Sequence, residues 1–142
     1  YIHVLHSHVM APDDDKDSFL QVTLKKLKNN EELIFSSGEQ LFDVISMHDC
    51  CKGYYLISKK GKKNSNYWVG SGSPRRLREY VERMYNLYPS NQKMQFGKLP
   101  YNDVQLKESD FSIENLKKDT GYFPNNSFEE TVKELYNHFF AN

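Results

Sequence analysis

Several side chains stand at spacings that could do chemistry. His6 and His8 alternate onto one side of an extended stretch, with Asp13, Asp14 and Asp15 close behind them. Two imidazoles and a carboxylate can hold zinc, but the sequence places no further ligand beside them. His48, Cys50 and Cys51 form a second cluster. Their spacing is not that of a zinc finger, and buried, unreactive thiols are the expectation. Tyr55 and Lys59 stand one helical turn apart, where a lysine can lower a tyrosine's pKa for acid–base work. Two letters make a weak motif, and the ordinary reading is a core-facing tyrosine beside a solvated lysine. Gly70-Ser71-Gly72 could cradle a phosphate at a helix start. Arg75 stands where the dinucleotide fingerprint has its third glycine, so a tight strand-to-helix turn is favoured.

The elements that must position these groups follow from periodicity and punctuation. Ile2 to His8 alternates as a half-buried strand, and Ala11-Pro12-Asp13-Asp14-Asp15 is a turn. Phe19 to Leu27 has helical spacing and ends at Asn29-Asn30. Glu32–Ser36 and Phe42–Ser46 read as short strands, and a helix runs from His48-Asp49 to Lys59. Asn66 to Gly70 is a strand with Tyr67 and Val69 on one face and Trp68 on the other. Ser73-Pro74 predicts the next helix start, with Leu77, Tyr80, Val81, Met84 and Tyr85 as its stripe and Pro89 beyond its end. Lys93–Phe96 reads as a strand, and Phe111–Lys118 as a brief helix stopped at Gly121. Ser127-Phe128-Glu129-Glu130 is a capping box that opens a last helix through Phe140. Alternation of this kind predicts an α/β fold.

The chain has 142 residues, enough for one domain with a real core. Lys+Arg and Asp+Glu both number 19, which argues against a general electrostatic grip on nucleic acid. No apolar run is long enough to span a membrane, and no signal peptide is visible. The only cysteines are adjacent, which disfavours a bridge and fits a reducing compartment. A cytoplasmic protein is the expectation. Tyr1-Ile2-His3-Val4-Leu5 reads as a strand already under way, so the sequence is expected to continue upstream.

Several stretches together resemble a known family. Gly38-Glu39-Gln40 and Asp43 fit a Gly-x-Gln-x-Arg-Asp stretch, and Asp49 fits the acidic position that follows it. Val69-Gly70-Ser71-Gly72, Leu77-Arg78-Glu79-Tyr80 and Gly97-Lys98-Leu99-Pro100-Tyr101 come next in the family's order. Asp110, Gly121-Tyr122, Pro124 and the capping box close the pattern. In that order they are similar to the C-terminal half of the extended short-chain dehydrogenase/reductases, within the NAD-dependent sugar-nucleotide epimerases and dehydratases. Departures accompany the match. His8, Met10 and Ala11 replace the family's Asn, Tyr and Gly before Pro12, and Phe42 replaces its arginine.

The resemblance implies the C-terminal part of a Rossmann-type enzyme, with a few strands and packed helices forming one substrate lobe over residues 1–142. It implies a pocket for a nucleotide-sugar near His8, Phe19, Gln40, Phe42, Arg78 and Tyr101. A flat ring such as Phe42 or Tyr101 can stack on a base or sugar, Gln40 can hydrogen-bond its edge, and Arg75, Arg76 or Arg78 can pair a diphosphate. It implies NAD or NADP in the intact enzyme, bound by the other half and not by this chain, and it leaves room for a homodimer. The family's catalytic tyrosine and lysine precede the segment around His8, so Tyr55 and Lys59 are not that pair. No catalytic residue and no independent turnover are expected here. The alternative is a non-catalytic binding module derived from the same family.

Overall fold

One extended segment near the start organises the molecule. It comprises β1 (His3–His6) and β2 (His8–Met10), divided at Ser7. Backbone groups along a strand alternate between its two edges. The Ser7 amide donates to Val69 O at 2.9 Å, while the next amide, His8, donates to Asp43 O at 3.1 Å. The segment therefore pairs on one edge and then on the other. β1 runs parallel to β6 (Asn66–Val69), and β2 runs parallel to β5 (Val44–Ser46). Two more pairs complete the strands: β3 (Leu33–Ile34) with β8 (Met94–Gln95), parallel, and β4 (Leu41–Phe42) with β7 (Arg75–Arg76), antiparallel. The computed structural model describes residues 1–12, 18–102 and 104–141.

Helices α1 (Phe19–Lys28), α3 (Leu77–Leu87) and α5 (Phe128–Phe140) close over one core. Leu20, Leu24 and Leu27 recur one helical turn apart on α1 and are fully buried against Val81, Met84, Val132 and Leu135. Each such side chain contributes about 1.5–3 kcal/mol by leaving water. Helix α2 (Met47–Lys60) and α4 (Glu114–Thr120) cover β6 in a second core of Ile45, Ile57, Tyr67, Val69, Leu116 and Tyr122. Gly121 ends α4 in the left-handed region at φ +74°. The Ser127–Glu130 capping box is present in both directions, at 3.1 Å each. No helix among the described residues is long and apolar enough to cross a membrane.

The mixed fold agrees with the sequence pattern, and four local expectations are corrected. Ser73-Pro74 does not open α3, because Arg75–Arg76 pair with Leu41–Phe42 and the helix begins at Leu77. Its first amides are satisfied from afar, Leu77 N by Gln40 O at 2.9 Å and Arg78 N by Gly38 O at 3.0 Å. The brief helix expected over Phe111–Lys118 is two pieces, a 3-10 turn at Glu108–Phe111 and then α4. Tyr55 is 61% exposed rather than core-facing. The inward face of α2 is Cys50, Gly53 and Ile57, and a side-chain carbon at Gly53 would meet Val69. Cys50 is buried as expected, and burial first and Cys51 next push its thiol upward; Cys51 itself is exposed.

Candidate functional site

The division at Ser7 opens a cleft of about 350 Å³, a size suited to a small ligand. His8 opens β2, and its ring lies 5.5 Å from that of Phe42. Phe42 ends β4 and meets Tyr80 edge-on at 6.2 Å. Gln40 stands just before β4, where that strand pairs antiparallel with the distant β7. Phe19, the first residue of α1, contributes a ring packed edge-on against Phe35 at 5.9 Å. Tyr101 comes from the segment after β8, where its hydroxyl donates to Val104 O at 3.4 Å. These five sequence-chosen residues line one cleft.

Arg78 does not line it. Its guanidinium donates to Glu39 at 3.2 Å and Glu82 at 3.3 Å, and lies 4.5 Å from the centre of the Phe96 ring. Those carboxylates raise its pKa. Arg75 pairs with Glu129 at 3.3 Å, and Arg76 pairs with Glu39.

A buried carboxylate forms the floor. Asp43 is 1% exposed and accepts hydrogen bonds from the Ser7 hydroxyl, the Ser71 hydroxyl and the Ser71 amide, the last at 2.9 Å. Trp68 extends the network by donating its indole N–H to Ser7 Oγ at 2.8 Å, and its ring meets Phe111 edge-on at 5.5 Å. Burial first, and the Asp43 charge next, push the Tyr80 phenol well above its ordinary range. Its hydroxyl donates to Phe42 O at 3.1 Å and so steadies the cleft wall.

The Gly70–Gly72 turn thus wraps a carboxylate, and a side-chain carbon at Gly70 would collide with Asp43 and Ser7. The turn does not fit a dinucleotide pyrophosphate. Its serine donors are engaged, and a phosphate there would face a like charge. Among the described residues no group of three or more His, Cys, Asp or Glu could hold a metal ion. His6 turns its ring toward Tyr54 at 6.2 Å, and Asp13, Asp14 and Asp15 lie outside the described residues.

Sequence reasoning did not select Ser7, Asp43, Trp68, Leu106 or Phe111 for this cleft. Alternation placed Trp68 opposite Tyr67 and Val69, which was the available signal. Nothing local shows where that face looks, and Leu106 sits in a stretch with no regular period.

No known protein family's profile matches the sequence. A CDP-abequose synthase from Salmonella muenchen is 27% identical over 137 residues, covering 95% of this chain and 46% of that protein. Two solved structures share the fold. The UDP-glucose 4-epimerase of Thermotoga maritima, solved with UDP-glucose, matches 98% of this chain and 45% of its own at a TM-score of 0.79 and 19% identity. The dTDP-glucose 4,6-dehydratase of Bacillus anthracis, solved with NAD, matches 99% of this chain and 45% of its own at a TM-score of 0.82 and 17% identity. The chain therefore has the fold of the C-terminal part of the extended short-chain dehydrogenase/reductases. The resemblance to the NAD-dependent sugar-nucleotide epimerases and dehydratases holds in sequence and in fold. The chain spans slightly under half the length of the relatives it matches.

Proposed function

We propose that this chain is the substrate-binding portion of an NAD- or NADP-dependent nucleotide-sugar epimerase or dehydratase. Residues 1–142 act as one substrate lobe, and a dinucleotide-binding portion outside this sequence carries the hydride chemistry. The convergence of His8, Phe19, Gln40, Phe42 and Tyr101 on one cleft supports this most directly. Phe42 and Tyr101 offer faces for a ring, and Gln40 offers an amide to its edge. This chain's residues bind and orient, which is the protein's share of cofactor chemistry. Arg78 would reach a diphosphate only by giving up Glu39 or Glu82. The intact enzyme works in the cytoplasm and can pair as a homodimer.

Titration of the chain with UDP-, CDP- and dTDP-sugars tests the reading, with the emission of Trp68 as reporter, since that residue is the only tryptophan and lines the cleft. Expected is a saturable change with one sugar nucleotide, weakened about tenfold (~1.4 kcal/mol) by Tyr101→Ala or Gln40→Ala. Absence of any saturable response, or tight NAD binding by calorimetry, would contradict it. The second reading, a non-catalytic module, is favoured by Phe42 at the arginine position and His8 at the asparagine position of the resembled pattern. Turnover by this chain joined to a dinucleotide-binding portion would rule it out.

A further inference from the structure

Resting on the ligand-binding reading just given, we infer that the cleft recognises the uncharged, ring-bearing part of its ligand and draws no affinity from phosphate. Phe42 is the residue that sets this preference. Among the described residues no lysine or arginine lines the cleft; its titratable groups there are His6, His8, the Tyr101 phenol and the Asp43 carboxylate. The arginines that follow the Gly70–Gly72 turn are committed elsewhere. Arg75 pairs with Glu129 at 3.3 Å and lies over the Tyr80 ring at 5.7 Å. Arg76 pairs with Glu39, and Arg78 pairs with Glu39 and Glu82 while covering Phe96. Freeing Arg78 for a ligand would give up two carboxylates and an aromatic face.

A phosphate brought into this space would be desolvated beside Asp43, with no lysine or arginine among the described lining residues to offset the loss. A neutral ring meets the opposite situation, since Phe19, Phe42, Tyr101 and Leu106 present apolar surface to it. Phe42 sets an apolar ring in the cleft wall, packed between His8 and Tyr80.

The experiment compares a nucleoside, its diphosphate and its diphosphate-sugar on the full chain by calorimetry. It is run at pH about 8, where unperturbed imidazoles are neutral, and in salt from about 0.05 M to about 0.5 M. Expected are affinities of the nucleoside and its diphosphate within about threefold of each other, with no loss as salt rises. Phe42→Arg should then raise diphosphate affinity at least about tenfold, with a new salt dependence, and leave the nucleoside unfavoured. Because Phe42 also packs on Tyr80, Leu106→Arg supplies the same charge from the exposed wall and should act the same way. A diphosphate that binds the unmodified chain more than about tenfold tighter than its nucleoside, with affinity falling in salt, overturns the inference and leaves the substrate-lobe reading standing. Failure of every ligand to bind the unmodified chain and both variants overturns both.

Discussion

Replacing Asp43 by Asn should cost much of the folding margin although the change is nearly isosteric. The carboxylate is 1% exposed and receives three donors, the Ser7 hydroxyl and Ser71 amide at one oxygen and the Ser71 hydroxyl at the other. An amide keeps one acceptor oxygen and puts two N–H donors where the second stood. The cheaper orientation aims the new NH₂ at the Ser71 hydroxyl, which can rotate and accept. The Ser71 amide cannot rotate and must keep an oxygen. Three bonds to a charged group then become bonds between neutral groups. Bonds to charge contribute about 1.5–3 kcal/mol each and neutral ones about 0.5–1.5 kcal/mol, so the loss over three bonds is about 3–4.5 kcal/mol. Asp43→Ala strands all three donors and should cost about 4–6 kcal/mol, close to the whole stability of a small domain. The assay is urea unfolding followed by the emission of Trp68, whose indole N–H reaches the same network through Ser7 at 2.8 Å. Ser71→Ala, alone and in the Asp43→Asn background, closes a double-mutant cycle and should show coupling of about 1 kcal/mol or more. An Asp43→Asn protein within about 0.5 kcal/mol of the parent, with unchanged emission, would refute the idea that this carboxylate organises the cleft floor.

Other perturbations read other parts of the molecule. Asp49 is buried and accepts from the Asn125 amide at 2.9 Å and the Asn126 amide at 3.0 Å, so Asp49→Ala should sharply raise hydrogen exchange at those two amides, and unchanged protection would count against the clamp. Gly53→Ala would ordinarily help a helix by about 1 kcal/mol. Here the added carbon would stand 2.5 Å from Val69 Cγ1, so a net loss of about 1–3 kcal/mol is expected in denaturant unfolding. The Tyr67 hydroxyl first, and Lys62 second, hold the Asp119 carboxylate below its ordinary value. A lowered folded-state pKa gives stability that is fully present above the unfolded value of about 3.9 and is lost as pH falls through the folded one. Asp119→Asn should therefore flatten the acid limb of a melting-temperature profile below pH about 4 and leave its shape at neutral pH alone.

What the sequence reveals depends on how far each cause reaches along the chain. The Ser127 capping box is readable because its two bonds span three residues. Ser73-Pro74 carries an equally good local signal and loses. Carbonyls of Gly38 and Gln40, far upstream, accept the amides of Arg78 and Leu77 and draw Arg75–Arg76 into a strand pair. On α2, bulk directs attention to Tyr54 and Tyr55, yet both are exposed. The close approach of β6 selects the one residue without a side chain, Gly53, for the inner face. A helix's buried side is set by what lies against it, and no period within the helix encodes that distance.

The cleft follows the same logic in its charges. Residue type alone shows that Phe42 and Tyr101 can stack and that Gln40 can hydrogen-bond, because those capacities belong to the side chains themselves. Whether an arginine can serve a ligand depends on what else it touches. Glu82 lies one helical turn beyond Arg78, so that pair is legible as an i,i+4 contact. Glu39 arrives only through the pairing of β4 with β7 and takes both Arg76 and Arg78. The same pairing puts Phe42 into the cleft and ties the guanidiniums at its edge to carboxylates. The capacity to stack can therefore be read from single letters, whereas the capture of Arg76 and Arg78 by Glu39 emerges only when the antiparallel pair forms.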